Sequence, residues 1–225
     1  MPLHFTTAPA PALRSVLAAL GSPTAVREAR TPALCSATGP VRPELALPVH
    51  VLSRTAPAGG PPRTRHTGWR FLLRTGSDDT RGRNGDRNGD RTADHNGVRT
   101  VAAPGDRTVA AADTRLTPDG WTFSHFLEGP YVTSAESAVR QAEALPAAYQ
   151  PRLLSVPELY MLTLWLHGDP AADPGAGPLR PTDLLVPLAP APPGIAAHLP
   201  HRAADLLPVL THRIKPAPPL LGSPA

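Results

Sequence analysis

Apolar positions along the chain fall into short patterned blocks separated by Pro- and Gly-rich stretches, and each block predicts an element. In Ala10–Leu20, residues Leu13, Val16, Leu17 and Leu20 recur at helical spacing and Gly21 supplies a stop, so a short amphipathic helix is expected to pack this stripe against its own domain. Residues 22–47 are rich in Pro, Ala and Thr and predict no element, while Val49 and Val51 suggest a short strand before a break at 56–62. Residues 68–74 alternate, with Trp69, Phe71 and Leu73 on one side and Arg70 and Arg74 on the other, which is the period of a half-buried strand. Residues 109–116 and 121–127 flank Thr117-Pro118-Asp119-Gly120 and predict a hairpin whose second arm carries Trp121, Phe123, His125 and Leu127 on its apolar side.

The capping-box pattern Thr133-x-x-Glu136 predicts a helix start, followed by Ala135, Ala138, Val139, Ala142 and Leu145 on one face and ended by Pro146. Residues 152–167 are the most apolar run and are expected to supply the core, divided near Pro157. Periodicity does not separate strand from helix there; the Gly168-Asp169-Pro170 loop leading to a strand-like run at 183–188 favours strand for the second half. Residues 189–202 are Pro-rich, 203–210 predict a short helix, and 215–225 read as a Pro-rich tail.

Composition changes this picture at 77–107. The segment repeats Asn84-Gly85-Asp86-Arg87 as Asn88-Gly89-Asp90-Arg91, lacks aromatic residues and balances its Asp against its Arg, so a disordered, low-complexity insert is expected. With 31 Pro and 18 Gly in 225 residues, and only 3 Trp, 3 Tyr and 4 Phe, the core should be modest and built from Leu, Val and Ala. The expected fold is a single α+β domain over 48–210, a mainly antiparallel sheet with one or two packed helices. A short helix and a Pro/Ala-rich segment (1–47) precede it, and a Pro-rich tail (211–225) follows.

The net charge is +4, but Lys215 is the only lysine, and an arginine excess of this kind also follows from G+C-rich codons. Charge alone therefore assigns no partner. Cys35 is the single cysteine and cannot form an internal disulfide, and no 18-residue apolar run or signal-like h-region occurs, so a cytosolic, membrane-free protein is expected.

Residues 68–74, 121–130, 159–167 and 183–190 resemble the shared blocks of small uncharacterised proteins of high-GC actinobacteria. The resemblance implies a cytosolic bacterial protein. Its blocks are packing segments without an assigned activity, so it implies no site residue.

Candidate chemistry is sparse. His198-x-x-His201 with His212 lacks a nearby Cys and sits in a Pro-rich stretch, which fits a solvated surface rather than a zinc site. Asp86-x-Asn88-x-Asp90 departs from a calcium loop at Arg91 and Gly97, and the position of the only lysine excludes a phosphate loop. An enzyme reading would use His125 with Glu128, but no nucleophile context accompanies them. No catalytic residue, metal site or cofactor is therefore expected. Arg54, Arg63, Arg65, Arg70 and Arg74, beside Trp69 and Phe71, form the nucleic-acid candidate, although the alternation turns the aromatic rings away from Arg70 and Arg74. The leading expectation is a non-enzymatic cytosolic interaction module with a protein partner. Nucleic-acid binding through the five arginines is the alternative, and an enzyme of unrecognised class the third reading.

Overall fold

The computed structural model describes residues 3–53, 63–75 and 107–214. The expected insert, apart from its last residue, the break at 56–62 and the tail from 215 lie outside the described residues, as does Arg54. The elements run α1 (Ala10–Leu20), α2 (Pro23–Glu28), α3 (Pro32–Cys35), β1 (Val41–Ser53), β2 (Arg63–Thr75), β3 (Arg107–Thr117), β4 (Gly120–Leu127), α4 (Pro130–Ala142), β5 (Gln150–Val156), β6 (Met161–His167), β7 (Leu184–Pro187), β8 (His201–Arg202) and α5 (Ala203–Ile214). The eight strands form one sheet in the order β4-β3-β2-β1-β5-β6-β7-β8. Neighbours are antiparallel except β1 and β5, which are parallel. This is the expected α+β fold with a mainly antiparallel sheet. Among the described residues no helix is long and apolar enough to cross a membrane.

Helices cover both faces, and the two faces differ. On one, α4 lays Val132, Ala135, Ala138, Val139 and Ala142 on Leu47, Leu72, Leu153, Leu164 and Leu166. On the other, α1 to α3 cover Trp69, Phe71 and Phe126 at the β4 end, and α5 covers Leu154, Trp165 and Leu185 at the β7 end. Coverage of both faces explains the unpatterned run at 152–167. It forms β5 and β6 about a 3₁₀ turn at Pro157–Leu159, and all seven residues of β6 are buried. A strand dry on both sides has no polar face to reveal its period.

Several sequence expectations are corrected. Residues 22–47 form α2, α3 and the first half of β1, which tolerates Pro43 and Pro48 because its ladder to β5 runs only from Val49 to Val51. In α1 the buried stripe is Ala12, Val16 and Ala19, while Leu13 and Leu17 point outward. Small side chains let the helix lie close on β3 and β4. In β4 a register shift opposite Asp113 and Thr114 makes Ser124 an extra residue. The bulge keeps Phe123 and Phe126 on one face, their ring centroids 4.6 Å apart, and turns His125 out of the apolar side. The capping box does not form: α4 begins at Pro130, Thr133 Oγ1 donates to Pro130 O, and Glu136 accepts from Arg74 Nη2 at 2.7 Å.

Gly68 lets β2 and β3 close on each other. A Cβ at this position would stand 1.8 Å from Thr114 O, a backbone atom that cannot swing aside. Gly68→Ala is expected to cost about 3 kcal/mol or more, read as a lowered urea midpoint with an unchanged m-value; a midpoint within error of the parent would contradict this packing.

Candidate functional site

Between the area under α1 to α3 and the area under α5, the centre of the sheet carries a strip of polar and aromatic side chains. It is built by register. His50 of β1 and His66 of β2 are cross-strand partners, because Thr67 is an extra residue that restores both rings to the same face. Their centroids lie 5.1 Å apart. Trp165 of β6 meets His50 edge-on at 5.1 Å, His167 stands 5.5 Å from Trp165, and the Arg152 guanidinium of β5 lies 4.7 Å over the Trp165 ring. His50, Arg152, Trp165 and His167 are all buried.

The loop between β6 and β7 roofs this strip through its backbone carbonyls. Gln150 Nε2 donates to Ala172 O at 2.6 Å. Arg152 Nη1 donates to Ala176 O at 2.9 Å and Nη2 to Asp173 O at 3.0 Å, while its Nε donates to Gln150 Oε1 at 2.7 Å. His50 Nε2 lies 2.8 Å from Pro174 O, and since a carbonyl can only accept, Nε2 carries the proton. Burial lowers the His50 pKa to about 4, helped by the neighbouring His66 and Arg152, so the ring is neutral at pH 7. Burial also lowers the Arg152 pKa, to about 10, against the opposing pull of Asp183 and Asp173, and the guanidinium remains charged. His66 is lowered for the same principal reason, and its Nε2, like Trp69 Nε1, is buried with no hydrogen-bond partner.

Asp183 anchors the end of the roof. Its carboxylate accepts from Trp165 Nε1 at 2.8 Å, His167 Nδ1 at 2.9 Å, Gly168 N at 3.0 Å and Arg180 N at 2.9 Å. A carboxylate that orients an imidazole through Nδ1 is half of a general-base arrangement. Among the described residues no hydroxyl or thiol is bonded to the His167 ring, and the contact with Asp183 fixes the ring's orientation. What the strip can do chemically is donate: Arg152, Gln150 and His50 aim N–H groups at one short segment.

The residues singled out in the sequence go elsewhere. Arg70 makes a bidentate pair with Asp113, both contacts at 2.8 Å. Arg74 is bonded to Glu136, Glu44 and Thr108. Arg63 and Arg65 are exposed at the start of β2, and Trp69 and Phe71 are in the core. The four described arginines therefore do not form one free surface. His125 is exposed beside Asp113 and Ser124, whereas Glu128 accepts from Ala33 N at the start of α3, so these two do not converge. His198 bonds Ser134 Oγ at 3.0 Å, and that oxygen also accepts from Ala189 N. Sequence reasoning missed His50, Gln150, Arg152, His167 and Asp183. The available signal was polar residues standing at the ends of strongly apolar runs.

No protein family model, no curated protein and no solved structure matches the chain. The fold and strip define it as an α+β protein with a buried cationic strip at the centre of an eight-stranded sheet.

Asp183→Asn keeps the shape but turns an amide NH₂ towards a donor. It is expected to cost about 3 kcal/mol, with altered Trp165 fluorescence; an unchanged denaturation midpoint would contradict the hub. His50 generates a pH dependence. The unfolded chain binds a proton near pH 6.5 and the folded chain only near pH 4, so stability is full above pH 6.5 and lost as pH falls towards 4. The loss from this group is about 3 kcal/mol, and His50→Gln should flatten that part of the stability–pH curve; an equal slope in the variant would place the effect on another group.

Proposed function

We propose that the protein is a non-enzymatic, cytosolic interaction module that presents the outer face of α1 to an apolar groove of a partner protein. The observation that carries this reading is the inversion of α1. Ala12 and Val16 are fully buried, while Leu13 and Leu17, one turn apart, are 37% and 48% exposed. A helix with small residues inward and leucines outward offers anchors at i and i+4, the spacing with which a helix enters an apolar groove. Arg14 is its only charged residue, so docking desolvates little charge.

Other features support the same reading. Arg70, Arg74 and Asp183 are satisfied within the chain and offer no reactive group to a substrate. Cys35 is free and has no internal partner cysteine, which suits a reducing compartment. The nucleic-acid reading draws on fewer residues, because Arg70 and Arg74 are held by carboxylates and the neighbouring aromatic rings are buried.

The test places a photo-crosslinking residue at position 17 in living cells, with nuclease treatment of the lysate. A discrete protein adduct is expected, and Leu13→Asp should remove it while leaving stability within about 0.5 kcal/mol. Adducts no stronger than those from a crosslinker at the exposed Thr122, or adducts with nucleic acid only, would overturn the reading.

A further inference from the structure

Arg152 is fully buried, yet its hydrogen-bond acceptors are all neutral oxygens: Gln150 Oε1, Asp173 O and Ala176 O. Among the described residues no carboxylate reaches it within ion-pair distance; Asp183, Asp173 and Asp169 act on it only from farther away. A buried cation is well compensated by a close, bidentate counter-ion, and dipoles alone compensate it poorly. The guanidinium therefore holds unused capacity for an anion.

Two of its N–H groups and two from neighbouring side chains converge on one segment. Arg152 Nη1, Arg152 Nη2, Gln150 Nε2 and His50 Nε2 all point at residues 172–176, and each meets a backbone carbonyl. The segment reads Ala172-Asp173-Pro174-Gly175-Ala176, and its carbonyl oxygens stand where the oxygens of an anion would be received. It has its own internal turn, with Ala176 N donating to Asp173 O and Gly175 N to Asp173 Oδ1. Gly177 at φ +93° follows it, and a Cβ there would meet nothing within 4 Å. Opening the site requires displacement of this turn, which the test below reads directly.

We propose that Arg152, Gln150 and His50 form a binding site for a small carboxylate, occupied in the closed state by the carbonyl groups of residues 172–176. A carboxylate in place of two of these carbonyls would exchange neutral contacts for a charge-assisted fork on Nη1 and Nη2. A singly charged ligand fits better than a phosphate dianion. The strip supplies one full positive charge, since His50 is neutral, and three aspartates lie in its field. Trp165, already beneath the guanidinium, holds the fork's plane and excludes water from one side. This site is separate from the outer face of α1 and stands whether or not α1 docks a partner.

The test titrates the intact protein with acetate, pyruvate and benzoate, with inorganic phosphate and chloride as separate arms. The readouts are the Arg152 Nε–H and Trp165 Nε1–H resonances and hydrogen exchange over 170–177. One carboxylate should give a saturable shift with a Kd of about 1 mM or tighter. Exchange over the segment should then rise about tenfold as the carbonyls are displaced. Gln150→Glu puts a fixed carboxylate on Arg152 Nε and should weaken binding at least tenfold without removing the cation; Arg63→Gln, at the exposed start of β2, should bind as the parent. Arg152→Gln should abolish binding if it folds, and Gln150→Glu decides the matter if it does not. No saturable shift with any carboxylate would overturn the proposal. So would a shift without loosening of the segment, equal responses to chloride, or a preference for phosphate.

Discussion

The buried carboxylate of Asp183 is the constraint on which the second half of the sheet and the central strip depend. Taking a carboxylate out of water costs several kcal/mol unless its lone pairs are met. Here they are met by a side chain of Trp165, a side chain of His167 and the backbone N–H groups of Gly168 and Arg180, while Asp183 O accepts the first N–H of α5, that of Ala203. All these donors arrive together in a single arrangement of β6, β7, the connecting loop and α5. Both ends of the loop are thereby fixed, and its middle must pass over β5. The carbonyl roof above Arg152 is a consequence of where Asp183 pins the chain.

The same geometry explains why the two faces of the sheet are built differently. Under α4 the middle of the face is apolar and a single helix of small residues covers it, with the Arg74–Glu136 ion pair tying that helix to β2. The opposite face has two helical covers with a gap between them, and the polar strip fills that gap. Its histidines and Arg152 also fix register. Because strand side chains alternate, sliding β1 against β2 by one residue would carry His50 onto the apolar α4 face, where no carbonyl awaits it. The strip thus converts a hydrogen-bonding requirement into a specification of strand alignment. It also leaves three imidazoles near one guanidinium, an arrangement tolerable at neutral pH because burial holds His50 and His66 in the uncharged form.

Half-buried elements were legible in the sequence because their two sides have different chemistry. The alternation at 68–74 placed Trp69 and Phe71 inward, and the turn at Thr117-Pro118-Asp119-Gly120 joined two strands. Legibility failed for three physical reasons. β5 and β6 are dry on both faces and show no period. α1 is set by close approach, which favours Ala12, Val16 and Ala19 over the more hydrophobic Leu13 and Leu17. Ser124 and Thr67 are bulge residues, and one uncounted residue reverses every later assignment on the strand. The strip was hidden for a further reason: His50 and Arg152 lie far apart in sequence, and the parallel pairing of β1 with β5 that brings them together follows from topology rather than from local pattern.

The sheet edges bear on how such a molecule can meet others. A partner that adds a strand needs a long, regular edge with a continuous ladder of free backbone groups. At one end β8 is only two residues long, and at the other β4 carries its extra residue at Ser124, which interrupts the ladder spacing and twists the strand. Among the described residues both edges are therefore poor templates, by shortness at one side and by irregularity at the other. At the β4 end, α1 lies on the face of the sheet rather than along its edge and turns Leu13 and Leu17 outward, so the apolar surface there is one of side chains rather than of backbone.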